Sequence, residues 1–131
     1  MDYTNRYCII GAGSSGLVAA KNLKQHGIPC DVFDKNDDIG GNWYYGKPAS
    51  SVYKSTHLIS SKPGTEYTDF PLPKHYPDYP NHWQVHQYFK DYATHFGLYD
   101  LVTFNTGVDS VLPLPVGEGK ALTNNNLTIL T

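Results

Sequence analysis

Gly11-Ala12-Gly13-Ser14-Ser15-Gly16 sets three glycines at the spacing Gly-x-Gly-x-x-Gly, directly after the apolar run Tyr7-Cys8-Ile9-Ile10. Each glycine answers a separate physical demand. Gly11 permits a sharp turn, Gly13 lets a pyrophosphate approach the backbone, and Gly16 lets a helix pack closely on a strand. Ser14 and Ser15 open that helix, whose free N–H groups and dipole attract phosphate. Asp34 stands 21 residues after Gly13, where a carboxylate at the end of a second strand meets a ribose diol. A carboxylate there accepts hydrogen bonds from the 2'- and 3'-hydroxyls and repels a 2'-phosphate, so the expected ligand is FAD or NAD and not NADP. The plainer alternatives are a merely structural glycine turn and a solvated acid at a strand end.

For these residues to meet, the chain must build a strand, a tight turn, a helix and a second, parallel strand. Leu17, Ala20, Leu23 and Lys24 recur at helical spacing to about His26, Gly27 suits a C-cap, and Pro29 keeps the helix from resuming. Asp31-Val32-Phe33-Asp34 then reads as the second strand, and residues 1–34 as a βαβ dinucleotide half-unit. Over 35–81 the prolines and paired glycines exclude long helices, so a loop-rich layer is expected, with one possible strand over 52–59. Asn81 and Gln84 have the spacing of a capping box, ahead of an apolar stripe of Val85, Tyr88, Phe89, Tyr92, Ala93 and Phe96 closed by Gly97. Strands are expected over 101–104, 108–112 and 127–130, with a long loop over 113–126.

At 131 residues the chain has room for one domain and not for two dinucleotide-binding domains in series. Ten Lys and Arg against twelve Asp and Glu leave no basic field to hold a polyphosphate backbone, which argues against a nucleic-acid partner. Cys8 and Cys30 match no zinc or redox spacing and read as a reduced, buried pair. The polar start and the glycine break after Ile10 fit neither a signal segment nor a membrane span, so a cytoplasmic protein is expected. His82 and His86 lie four apart with no third ligand at a telling spacing, so they read as a solvated helix face and no metal site is expected.

The stretch Val32-Phe33-Asp34-Lys35-Asn36-Asp37-Asp38-Ile39-Gly40-Gly41-Asn42-Trp43 resembles the FAD-binding segment of the flavin-containing monooxygenases, in which an acidic residue is followed by a Gly-Gly-x-Trp turn. Further segments are similar to that family in the same order. They are Val52-Tyr53-Lys54-Ser55, Thr68-Asp69-Phe70-Pro71-Leu72-Pro73, Tyr76-Pro77-Asp78-Tyr79-Pro80, Tyr88-Phe89-Lys90-Asp91-Tyr92-Ala93, His95-Phe96-Gly97-Leu98 and Phe104-Asn105-Thr106-Gly107-Val108. The resemblance covers about residues 7–111 and leaves 112–131 unassigned. With the half-unit it implies an α/β fold, a Rossmann-like FAD/NAD(P)-binding domain that is incomplete. A family-like loop and helix region over 35–111, with its loop-rich insertion, and a small antiparallel β element near the C-terminus complete a single FAD-binding lobe over 1–131.

The activity so implied is that of an FAD enzyme that oxidises NADPH and passes one atom of dioxygen to a soft nitrogen or sulfur nucleophile on a small molecule. By the same likeness Gly11, Ala12, Gly13, Ser14, Ser15 and Gly16 hold the pyrophosphate, Asp34 the adenosine ribose and Lys35 the adenine edge. Asn42 and Trp43 meet the flavin side, and Val108 meets the adenine through its backbone. No catalytic residue is assigned. Trp43, Tyr44 and Tyr45 either stack on the isoalloxazine ring or pack in the core.

The sequence departs from the family in two places. Ile59 stands where many members have an Asn facing the reactive edge of the flavin, and an apolar side chain donates no hydrogen bond there. A second Gly-x-Gly-x-x-Gly and the NADPH domain that follows it in the family are missing, so the chain resembles an N-terminal piece whose C-terminal portion is needed for activity. The competing readings are an NAD-binding oxidoreductase half-domain, which leaves Gly40-Gly41-Asn42-Trp43 without a role, and a truncated, non-catalytic dinucleotide-binding module.

Overall fold

A computed structural model describes residues 6–113, 119–123 and 128–130. β1 (Tyr7–Ile10) and β2 (Cys30–Phe33) run parallel, with Tyr7 opposite Cys30 and Ile10 opposite Phe33, and α1 (Ser14–Gln25) crosses between them. The helix stops as the sequence predicts: Gly27 takes φ +67°, and the N–H of Ile28 donates to the Leu23 carbonyl at 2.9 Å. β3 (Val102–Thr103) pairs parallel with the other side of β2, so the sheet order is β1-β2-β3. This is the expected Rossmann-like start, with β1 an edge strand among the described residues.

α3 (His82–His95) packs through its apolar stripe on α1 and on the turn at Gly41–Trp43. Asn81 accepts from the Gln84 N–H and Gln84 accepts from the Asn81 N–H, each at 3.0 Å, so the capping box forms in full. Val85, Tyr88, Phe89, Tyr92 and Ala93 join Leu17 and Ala20 of α1, Val32 of β2 and Ile39 in one core. Lys24 ties the two helices together by donating to the carbonyls of Phe96 and Gly97, at 2.9 and 2.7 Å, where α3 ends. Lys21 forms an ion pair with Asp69 and stands over the Phe96 ring.

The loop-rich layer is present, with two differences in detail. Residues 52–59 form no strand. Thr56 turns the chain back on itself, its N–H donating to the Tyr53 carbonyl and its Oγ1 accepting from the Tyr53 N–H, which leaves only an isolated bridge from His57 to Asn81. The one-turn helix α2 (Lys62–Thr65) was not expected; Pro63 sits in its first turn, where a missing N–H costs nothing.

The expected 113–126 loop is interrupted by a strand. β4 (Val108–Pro113) pairs antiparallel with β5 (Gly119–Thr123), which pairs with β6 (Thr128–Leu130). Backbone pairing with the neighbouring run at 108–113 overrides the local loop signal of Pro, Gly and Asn over 113–126. No helix among the described residues is long and apolar enough to cross a membrane.

Candidate dinucleotide site

A groove of about 690 Å³ opens at the C-terminal ends of β1 and β2, the place where open parallel sheets hold ligands. Its floor is the first glycine turn. Gly11, at φ +93°, donates its N–H to the Phe33 carbonyl at 2.8 Å, which swings the chain away from the sheet and into α1. The first intrahelical bond runs from the Leu17 N–H to the Gly13 carbonyl at 3.0 Å, so the helix itself does not use the N–H groups of Ser14, Ser15 and Gly16. All three residues line the groove.

The second wall is the Gly40-Gly41 turn, which leads into a 3-10 turn (Gly41–Trp43). Gly40 and Gly41 take φ +123° and +54°, and the Gly40 N–H donates to the Ala12 carbonyl at 3.0 Å. The two glycine turns face each other closely: a Cβ on Gly41 would come within 3.0 Å of the Gly13 Cα. At Gly16 packing alone forbids a side chain, since its Cβ would stand 1.9 Å from the Gly11 carbonyl oxygen.

Asp34 lies against the first glycine turn and is 5% exposed, which removes the reading of a solvated strand-end acid. One carboxylate oxygen accepts from the Ala12 N–H at 2.6 Å and the other from the Asn36 N–H at 2.8 Å. Two oxygens offer about four acceptor sites, so capacity for a ribose hydroxyl remains on the side that lines the groove. The carboxylate therefore also clamps the glycine turn, a role that spacing alone did not reveal.

The other expected residues separate by place. Lys35 is exposed at the rim, and Gly107 and Val108 form the far wall. Asn42 lines the groove while its Oδ1 accepts from the Ser51 N–H at 2.7 Å, and Trp43 both lines the groove and packs on the core. Ala12 does not line it. Its side chain is fully buried and both its backbone groups are already used, by Asp34 and Gly40. Ile59 is 97% exposed and is not among the groove residues. Tyr44 stacks on His86 and Tyr45 leans on His82 and Trp83, so neither lines the groove.

The histidines contradict the expected solvated face. His82 is fully buried with neither ring nitrogen hydrogen-bonded, and the half-buried His86 places Nε2 at 2.8 Å from the Ile39 carbonyl. Both flank the apolar stripe of α3, one turn from Val85 and Phe89, and that position at the margin was the legible signal. Cys30 is buried as expected but Cys8 is only partly so, and burial pushes both free thiols up. Among the described residues no cluster could hold a metal ion.

Burial pushes the His86 pKa below its ordinary 6.5, outweighing the Ile39 carbonyl and Asp38, which favour the charged ring. The native state therefore binds fewer protons than the unfolded one, and stability from this group is complete above the unfolded pKa and lost as pH falls. We expect the urea midpoint to drop between about pH 7 and pH 5, and to drop less in His86→Gln. An equal drop in both proteins would remove His86 as the cause.

The parallel sheet, the glycine turn and the groove at its strand ends define a Rossmann-like α/β unit. A family model, flavin-binding monooxygenase-like, matches residues 4–117. Flavin-containing monooxygenase 5 of Rattus norvegicus is 40% identical over 114 residues, covering 84% of this chain and 21% of the relative. Flavin-containing monooxygenase 1 of Homo sapiens is 39% identical over 110 residues, covering 81% and 21%. The chain belongs to the flavin-binding monooxygenase-like family. It spans about a fifth of the length of these curated relatives.

Solved structures share the fold. S-allyl-L-cysteine S-oxygenase from Allium sativum superposes with a TM-score of 0.84 at 24% identity, over 96% of this chain and 34% of its own. The complex of OTEMO with FAD and NADP gives 0.83 at 17% identity, over 99% and 25%.

Proposed function

We propose that the groove binds FAD, and that this chain supplies the FAD-binding part of a flavin-dependent, NADPH-oxidising monooxygenase acting on small molecules with soft nitrogen or sulfur nucleophiles. The observation that carries the reading is the pair of facing glycine turns in one groove, with the buried Asp34 clamping the first of them. A single Gly-x-Gly-x-x-Gly suits any dinucleotide; the second turn, Gly40-Gly41-Asn42-Trp43, is built into the same groove and lies within the family match. The residues fit the cofactor because Gly13 and Gly41 leave open a cradle that side chains would fill, and because free N–H groups line it.

On this reading residues 1–34 form the dinucleotide half-unit and 35–111 complete the lobe. The N–H groups of Ser14, Ser15 and Gly16 bind the pyrophosphate, and Asp34 orients the adenosine ribose. Gly107 and Val108 bound the adenine, while Asn42 and Trp43 border the flavin side. FAD, when bound, supplies the redox chemistry, accepting electrons from a reduced nicotinamide and activating dioxygen. The protein's share is to orient the cofactor and keep water from it. The reading takes the protein as cytoplasmic.

The test is a visible absorbance spectrum of the purified protein after incubation with FAD and desalting. Retained flavin bands at one FAD per chain are expected; a colourless protein that retains NAD instead would overturn the reading.

A second expectation concerns turnover. Electron transfer needs two dinucleotides brought together, and the 131 residues carry one Gly-x-Gly-x-x-Gly, beside an Asp34 that repels a 2'-phosphate. With FAD added, the 131-residue chain is expected to show no substrate-dependent loss of NADPH absorbance. Oxygenated amine or sulfide product from this chain alone would contradict that.

A further inference from the structure

We propose that His86 is a positioning residue for the groove: it holds the Gly40-Gly41 turn against Gly13 from behind, without touching the ligand. The inference rests on the FAD-binding reading for its purpose and on the geometry around His86 for its mechanism.

His86 places Nε2 at 2.8 Å from the Ile39 carbonyl oxygen. A carbonyl only accepts, so Nε2 carries the proton, and that bond fixes the ring's tautomer and orientation. Tyr44 backs the ring, with centroids 4.7 Å apart and planes at 28°. The ring fills the space behind Gly40, where a Cβ would meet Cδ2 at 2.6 Å and Nε2 at 2.8 Å. On its other side Gly40 is held by the Ala12 carbonyl. The turn is thus gripped between α3 and the first glycine turn.

That grip has a physical reason. Gly40 and Gly41 both have positive φ, and two glycines in succession lose more backbone freedom on ordering than any other pair. A wall left to order itself on binding would lower affinity, whereas a wall already held does not. His86 is not among the groove residues, so its effect passes through Gly40. The groups around the ring are Asp38, which is paired with Lys90 and accepts from the Tyr99 hydroxyl, the neighbouring His82 on α3, and Tyr44.

The experiment compares the wild type with His86→Leu, which keeps apolar bulk and loses the donor, and with His86→Gln, whose amide nitrogen reaches as far as Nε2. Two readouts are taken: FAD affinity by flavin fluorescence, and hydrogen exchange at the Gly40 and Trp43 amides. His86→Leu is expected to raise the Kd for FAD about tenfold and speed exchange at Gly40 by a similar factor, with His86→Gln close to wild type in both. A role in packing alone gives the reverse order, with Leu tolerated and Gln not.

Wild-type affinity and wild-type Gly40 protection in His86→Leu would overturn the inference. If His86→Leu does not fold, His86→Asn, too short to reach Ile39, replaces it with the same expected result. If the wild type binds no FAD, the proposed function falls, and the exchange measurement still decides the role of His86. Gly40 protection lost in Leu and restored in Gln supports it, and protection unchanged in Leu overturns it.

Discussion

Gly16→Ala is expected to abolish FAD binding and to destabilise the protein by about 3 kcal/mol or more. The added Cβ would stand 1.9 Å from the Gly11 carbonyl oxygen and 3.1 Å from the Gly11 carbonyl carbon, and these are backbone atoms that no rotamer change can clear. Relief requires the first turn of α1 to move off β1, which carries the Ser14 and Ser15 N–H groups away from the groove. Alanine's better helix propensity returns about 1 kcal/mol at most, so the steric conflict decides the sign. Gly13→Ala makes the same chemical change three residues earlier, at φ −83°, where the Cβ would meet the Gly41 Cα at an ordinary 3.5 Å. Its stability is expected to stay within about 1 kcal/mol of wild type, with any loss confined to FAD affinity. Urea unfolding followed by circular dichroism checks both; equal stability in the two variants would show that the close approach at Gly16 is not a constraint.

Asp34→Ala is expected to act twice. It removes the acceptor for two N–H groups, those of Ala12 and Asn36, and each buried donor left unpaired costs about 1 to 3 kcal/mol. It also deletes the hydrogen bonds offered to the ribose, which should weaken dinucleotide binding by about 1.5 to 3 kcal/mol. Asp34→Asn separates the two effects, because its one remaining oxygen still serves one N–H while the negative charge is gone. In Asp34→Asn the preference for NAD over NADP should fall, since the repulsion of a 2'-phosphate goes with the charge. Calorimetric titrations with FAD, NAD and NADP read these terms, and unchanged FAD affinity in Asp34→Ala would take this carboxylate out of the site.

Where the sequence was readable, each constraint was local and strong. The βαβ start follows from Ile10 running into Gly11, from Gly27 and Pro29 stopping α1, and from a second apolar run ending at Asp34. α3 follows from a capping box followed by a single apolar stripe. What remained hidden depends on partners distant in the chain. Residues 52–59 carry strand-forming side chains, but Tyr53 and Thr56 satisfy each other's backbone and divert the segment into a turn. β5 lies inside a stretch that reads as loop because the strand it pairs with decides its conformation.

The site divides in the same way. Spacing placed Gly11, Gly13, Gly16 and Asp34 around one groove, yet Ala12 lies behind it because Asp34 and Gly40 both claim its backbone. His86 looked like a solvent-facing residue on α3 until the turn that receives it, 47 residues earlier in the chain, was in place.

Whether this groove is an FAD site is decided by a calorimetric titration of the wild-type chain with FAD, repeated with Gly16→Ala. We expect one FAD per wild-type chain, displaced by NAD more readily than by NADP, and no heat of binding in the variant. Binding that survives unchanged in Gly16→Ala, or a wild-type chain that takes up no FAD, would contradict it.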